Sequence, residues 1–305
     1  MTSRLAQTTW VAVDWGTSHL RVWLMDAADR VIEARQSDRG MGALGPGQFG
    51  PALAAILHDL PEGGPRLPVI CCGMVGSRQG WAEAPYAPVP CPPTGLDQAT
   101  HLREAAWDVY ILPGLSQAAP ADVMRGEETQ IAGFLADAPN FDGVVCLPGT
   151  HSKWAHISAG EVVSFRTYMT GEMFALLSRQ SVLRHSIAPA GWDDAAFDAA
   201  VSDALSRPSD LAARLFSLRA EQLLADQSPQ VARARLSGLL IGIELAAAKP
   251  YWLGQEVAMI GADALSAAYR RALEAQGAMV RCVSADTITL RGLCAARARL
   301  QDSVT

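Results

Sequence analysis

The chain has 305 residues, which at about 150 residues per domain points to two domains. Half of it is hydrophobic and only 18% is charged, against roughly a quarter in ordinary domains, so disorder is excluded and sizeable cores are expected. With 25 Lys and Arg against 31 Asp and Glu, the formal charge of −6 excludes a general binder of nucleic acid or anionic membrane. A small basic pocket for a phosphate or carboxylate remains compatible with that balance.

Residues 1–9 are polar and lack the apolar core of a signal peptide. The most apolar run, 238–248, is interrupted by Glu244 and is too short to span a bilayer, so it reads as a buried helix. Cys71, Cys72, Cys91, Cys146, Cys282 and Cys294 form no CxxC pair and no disulfide-framework spacing, which fits a reducing cytoplasm.

In chain order, residues 9–13 form an apolar first strand that ends at Asp14-Trp15-Gly16-Thr17-Ser18. Residues 20–25 alternate apolar Leu20, Val22 and Leu24 with Arg21 and Trp23, a second strand, and 30–37 a third. A helix over 45–59 and a buried strand over 69–72 follow, the latter leading into Gly73-Met74-Val75-Gly76-Ser77. Five prolines between 85 and 93 make that stretch irregular or an edge strand, 109–112 is a short strand, and 127–136 is helical behind Gly126. Then the opening pattern recurs. A buried strand over 144–147 ends in Pro148-Gly149-Thr150-His151-Ser152-Lys153, and strands over 154–158 and 161–168 are joined at Ala159-Gly160. Gly16 and Gly149 hold equivalent places, 149 − 16 = 133 residues apart, which implies a duplicated α/β architecture. The stretch 171–248 is mostly helical, and strands over 257–260 and 278–283 follow, the first ending at Gly261-Ala262-Asp263.

A tight turn between strands exposes backbone N–H groups on one side, glycine lets a phosphate approach closely, and Thr or Ser hydroxyls add donors. Gly16, Thr17 and Ser18 in one turn and Gly149 and Thr150 in the other are therefore candidates to grip a polyphosphate from two domains. Asp14, at a strand end, is the candidate carboxylate for Mg²⁺, which prefers oxygen ligands. Each turn alone also reads as an ordinary hairpin; the matched pair, with a third Gly turn at Gly261, favours the phosphate clamp. No GxxxxGK[ST] is present and no GxGxxG follows a strand.

On these residues the chain resembles the sugar kinase, actin and Hsp70 superfamily, with DWGTS as the first phosphate motif, LPGTHSK as the second and MIGADAL as the adenosine motif. More narrowly it resembles the 2-dehydro-3-deoxygalactonokinase family, whose strings DWGTSHLRVWL, CGMVGSRQGWAEAPY, VMRGEETQIAG, LPGTHSKW, FRTYMTGE and LSGLLIG occur here in order. The resemblance implies a two-domain, ribonuclease H-like α/β fold (actin-like ATPase and sugar kinase) with ATP in the cleft between the domains, 1–125 and 126–305. The last helix is expected to be able to pack back on the first domain. It also implies the reaction: ATP and 2-dehydro-3-deoxy-D-galactonate give the 6-phosphate and ADP, a step of galactonate breakdown. Two departures stand out: Leu147-Pro148-Gly149 lacks the Asp that often opens the second phosphate motif, and His19 stands where a residue such as Asn is expected.

Phosphoryl transfer needs positioning, charge stabilisation and a carboxylate near the attacking hydroxyl. Glu127 and Glu128 are the candidate bases, since GEE resembles a catalytic string of exopolyphosphatases; as first-turn acids they also suit a helix dipole. A keto acid asks for a cation, preferably bidentate, and Arg78, Arg125 and Arg166 are candidates. Lys153 could touch a phosphate, or equally be a surface lysine at a strand end; Ser77, Thr170 and Glu172 could bind hydroxyls of the sugar acid, Glu172 also reading as a first-turn acid. Gly261 and Ala262, with Gly238 and Gly242 on the preceding helix, are candidates for adenine and ribose, although glycine on a helix face also serves close packing alone. The partners expected are ATP with Mg²⁺ and a small sugar acid, without nucleic acid or membrane; a homo-oligomer is compatible with the sequence. The gluco epimer, a polyphosphate phosphohydrolase and a nucleotide-switched binding protein remain alternatives.

Overall fold

A computed structural model describes residues 5–60, 66–93 and 95–302. Residues 1–4 of the polar start and Thr94 of the Pro-rich stretch lie outside the described residues. The chain divides into two compact units: Met1–Phe141 with Ser158–Ser164 and Ala285–Thr305, and Asp142–Ile157 with Phe165–Ser284. The first unit thus runs past the 125/126 boundary expected from sequence, because the helix that follows Gly126 packs with the last helix of the chain.

The first unit holds β1 (Trp10–Trp15), β2 (Leu20–Met25), β3 (Val31–Ser37), α1 (Phe49–Ile56), β4 (Leu67–Gly73) and β5 (Tyr86–Pro88). It continues with β6 (Thr100–Arg103), β7 (Trp107–Ile111), β8 (Gly114–Ala118), β9 (Ala121–Met124) and α2 (Glu127–Asp137). Its main sheet runs β3-β2-β1-β4-β7-β6, with β1 antiparallel to β2 and parallel to β4. β1 is apolar at nearly every position because it is a central strand covered on both faces, and only Asp14 in it keeps partial exposure. Phe49, Ala52 and Leu53, spaced i, i+3, i+4, bury the inner stripe of α1, and Phe49 packs its ring 5.3 Å from that of Trp15. A smaller sheet, β5-β8-β9, was not foreseen: its strands are three to five residues long and too short to display an alternation. The prolines do keep β5 at that sheet's edge, where a missing N–H is harmless.

The second unit contains β10 (Gly143–Leu147), most of β11 (Ser152–Ser158) and the second half of β12 (Glu161–Tyr168), then α3 (Thr170–Arg179), α4 (Asp194–Ser206) and α5 (Leu211–Ala225). It goes on through α6 (Pro229–Ala247), α7 (Lys249–Trp252), β13 (Glu256–Gly261), α8 (Asp263–Glu274) and β14 (Met279–Ser284), and α9 (Ala285–Asp302) returns to the first unit. The sheet order β12-β11-β10-β13-β14 repeats β3-β2-β1-β4-β7, with the parallel partners in the same places. The duplication is therefore topological as well as motif-deep. The two turns differ by one residue: Asp14 pairs with Arg21 across residues 15–20, whereas Leu147 pairs with Lys153 across 148–152.

Glycine explains the tightest helix contact in the second unit. A Cβ on Gly238 would lie 2.5 Å from the Phe197 carbonyl oxygen, and one on Gly242 2.7 Å from Ala204 Cβ. These two residues therefore let α6 and α4 approach closely, which is the packing reading of the two glycines.

Candidate active site

In the first unit the loop after β1 exposes Thr17, Ser18 and His19 while Gly16 is half-buried. It is braced from behind: Met41 N donates to Gly16 O and Gly42 N to Thr17 O, both at 2.9 Å, and any side chain at Gly40 would collide with the Thr17–Ser18 backbone. A rigid loop with an exposed tip is what a phosphate cradle needs. Asp14 stands at its base. Its Oδ2 accepts from Arg21 Nη2 at 2.5 Å and from Nε at 3.1 Å, and its Oδ1 lies 3.9 Å from Cys72 Sγ.

The strand end of β4 and the start of α2 meet beside this carboxylate. Gly73 (φ 89°) and Gly126 (φ 107°) both use left-handed backbone, and a Cβ on Gly126 would sit 3.3 Å from Gly73 Cα. Gly126 N donates to Glu128 Oε2 at 2.6 Å and Arg125 N to Glu127 Oε2 at 3.1 Å, so both acids fold back over the helix N-terminus. The environments differ. Glu127 is half-buried, whereas Glu128 is fully buried, and burial, followed by the charge of Glu127, pushes its carboxyl up to about 8. The Cys72 thiol is pushed well up by its own burial and then by the charges of Asp14 and Glu128.

Arg125 is held by its surroundings. Its Nη2 donates to Ala84 O at 2.7 Å and its Nε to Tyr86 Oη at 3.3 Å, and its guanidinium lies 4.2 Å from the Tyr86 ring centre. Its Nη1 is buried without a partner, as is Ser77 Oγ, and a Cβ on the intervening Gly76 would come within 2.8 Å of that Nη1. Buried orphan donors are rare in native proteins and call for an explanation. Arg78 is a poorer candidate, being 80% exposed and paired with Glu83 at 3.4 Å.

In the second unit Gly149 is the open point of its turn: a Cβ there would meet nothing within 4 Å. Thr150 and His151 are exposed; Ser152 and Lys153 are buried. Burial of Lys153, whose Nζ lies 3.5 Å from the His151 carbonyl oxygen, replaces the surface lysine that its strand-end position suggests. Glu172, expected near sugar hydroxyls, instead accepts from His151 Nε2 at 2.6 Å, and its N–H donates to Thr150 O at 2.9 Å. Thr170 is likewise turned inward, donating to Glu244. Arg166 is exposed on β12.

A cavity of about 1110 Å³ opens between α3, α6, α8, the loop 189–192 and the first residue of α4. Gly149, Thr150, Thr170 and Gly171 line one end, and Phe174, Trp192 and Leu240 line its apolar body. Arg233 crosses the wall with its guanidinium 5.0 Å from the Phe174 ring centre. Near its turn Gly261 abuts Pro148 and the buried, unpartnered Ser266 Oγ, while Ala262 gives α8 no side-chain cap. An apolar pocket ending in a glycine turn and an uncapped helix start has the shape and donors for a nucleoside with phosphates. Sequence reasoning missed this pocket because its walls come from five separate segments.

The family profile described as 2-keto-3-deoxy-galactonokinase matches residues 14–296. The chain belongs to that family. It is 41% identical over 295 residues to a Rhizobium meliloti (strain 1021) protein named as a candidate 2-dehydro-3-deoxygalactonokinase, covering 94% of this chain and 96% of the relative. It is 36% identical over 288 residues to the 2-dehydro-3-deoxygalactonokinase of Escherichia coli (strain K12), covering 93% and 96%. Among solved structures, a Sinorhizobium meliloti protein assigned the same name superposes with a TM-score of 0.87 at 41% identity, over 95% of this chain and 96% of that one. The activator of 2-hydroxyisocaproyl-CoA dehydratase from Clostridium difficile shares the fold, with a TM-score of 0.51 at 10% identity over 96% of each chain. The fold is thus the two-domain α/β architecture of actin-like ATPases and sugar kinases, as the sequence motifs imply.

Proposed function

We propose that this chain is an ATP-dependent kinase that transfers phosphate to the 6-hydroxyl of 2-dehydro-3-deoxy-D-galactonate in galactonate breakdown. The observation that carries the reading is the second unit's cavity ending at the open Gly149 turn, in a chain that matches the kinase family over residues 14–296. The apolar body takes adenosine, while the backbone of Gly149 and Thr150 and the start of α8 take phosphates. Gly261 and Ala262 flank the ribose, and buried Lys153 supplies positive charge to the phosphates.

The first unit supplies the sugar-acid chemistry. Arg125 Nη1 and Ser77 Oγ, both buried without partners, are the donors assigned to the substrate's carboxylate and keto group. Glu128 is assigned as the base, because a carboxyl raised to about 8 titrates near working pH, where acceptance of a hydroxyl proton is most effective. Glu127 tunes it by charge. As the 6-hydroxyl oxygen bonds to the γ-phosphorus of ATP, the bond from that phosphorus to the bridging oxygen breaks, ADP leaves, and the hydroxyl proton passes to a Glu128 oxygen.

No cluster of three or more His, Cys, Asp or Glu fit to hold a metal occurs among the described residues. Asp14, with Oδ2 held by Arg21, fits the lesser demand of Mg²⁺, which keeps most of its waters and takes one carboxylate plus the phosphates. When bound, the ion neutralises charge on the transferring group. No helix among the described residues is long and apolar enough to cross a membrane, and the proposed setting is the cytoplasm. A coupled ADP-release assay with the galacto and gluco epimers tests the reading. Turnover that depends on the galacto acid is expected. Equal rates with both epimers would remove the stereochemical part, and phosphate release from polyphosphate without sugar acid would replace the kinase with a hydrolase.

A further inference from the structure

Glu244 lies in the last turn of α6, 2% exposed, in a helix whose other buried members are apolar or glycine. Its carboxylate gathers donors from three elements. Trp154 Nε1 on β11 donates to Oε1 at 2.7 Å, Tyr269 Oη on α8 donates to Oε2 at 2.7 Å, and Thr170 Oγ1 at the start of α3 donates to Oε2. Ser152, at the start of β11, joins through a 2.9 Å hydrogen bond with Tyr269 Oη. Burial pushes the carboxyl up while these hydrogen bonds pull it back down.

Those donors bracket the Gly149-Thr150 turn. Ser152 and Trp154 follow it directly on β11. Thr170 precedes Gly171, whose missing Cβ lets α3 lie on the turn: a Cβ there would sit 2.8 Å from Thr150 Cα and collide with the Gly149 carbonyl oxygen. Thr170, Gly171 and Tyr269 also line the cavity. An ionisable group in a core is costly unless fully hydrogen-bonded, and an apolar residue would fill the same volume. We infer that Glu244 is a positioning residue that fixes the phosphate-binding turn and the α3 start against the nucleotide cavity. This rests on the nucleotide reading of that cavity.

Glu244→Gln keeps size and one acceptor oxygen but cannot accept from all its donors. The expected result is ADP affinity, read by calorimetry, weakened about tenfold or more, with kcat lowered by up to about a hundredfold, since small displacements at the reacting phosphate are expensive in rate. The KM for the sugar acid stays within about twofold. Leu245→Ala, at a buried neighbour with no polar partner in the network, lowers the melting temperature while leaving ADP affinity unchanged. Should Glu244→Gln not fold, Thr170→Val removes the α3 arm alone and weakens ADP in the same direction. Wild-type ADP affinity and kcat in Glu244→Gln, or equal ADP losses in Glu244→Gln and Leu245→Ala, overturn the inference. Failure of the wild-type protein to bind ADP at all overturns the nucleotide reading beneath it.

Discussion

Glu128→Gln separates catalysis from burial most sharply. The carboxyl rises from its ordinary 4.5 to about 8 in the folded protein, so between those pH values the native state binds more protons than the unfolded chain. Stability therefore falls as pH rises from about 4.5 to about 8 and levels off above. At about 1.4 kcal/mol per pH unit the ceiling on that loss is about 5 kcal/mol. Glutamine keeps the 2.6 Å acceptor role toward Gly126 N without the charge. Denaturant unfolding at pH 5 and pH 8.5 should show wild type losing several kcal/mol across this interval and Glu128→Gln losing much less. In the same preparations kcat should fall by about 10²–10⁴, the usual worth of a positioned base. Wild-type kcat/KM should rise toward an apparent pKa near 8, and Glu127→Gln should move that inflection downward by removing a like charge. A variant with the flattened stability profile but kcat within threefold of wild type would refute Glu128 as the base; an unchanged stability profile would refute the raised carboxyl itself.

Further outcomes follow from other residues. Asp14→Asn should cut kcat at least about a hundredfold and alter the Mg²⁺ dependence, yet shift unfolding by no more than about 1 kcal/mol, because the Arg21 pair is partly exposed. Arg125→Lys should raise the KM for the sugar acid about tenfold or more and leave the KM for ATP alone; a changed KM for ATP would move this residue out of the substrate site. Gly149→Ala, with open space around the new methyl, should unfold within about 0.5 kcal/mol of wild type but raise the KM for ATP about tenfold, whereas unchanged kinetics would show that no phosphate approaches there.

Much of the fold is legible in local pattern. The alternation in Leu20–Met25 places that strand at its observed bounds, and the recurrence of Gly16 at Gly149 anticipates the repeated sheet order. The candidate residues are legible as types at strand ends and helix starts, since a carboxylate at Asp14 and acids after Gly126 advertise themselves. What escapes is set by partners far away in sequence. Glu244 looks like an interruption of a buried helix until Trp154, 90 residues earlier, and Thr170, 74 residues earlier, are seen to donate to it. Gly238 and Gly242 look like room for a ligand until α4 is found filling that room. Lys153 also reads as a surface group because nothing local reports the elements that cover it. Glu127 and Glu128 are indistinguishable in sequence and differ only through burial.

The most direct measurement is phosphorus NMR of the product formed from ATP and 2-dehydro-3-deoxy-D-galactonate. A phosphomonoester coupled to the two protons of C6, appearing in step with ADP, is the predicted result. Inorganic phosphate alone, or ADP formed at the same rate without the sugar acid, would contradict the assignment.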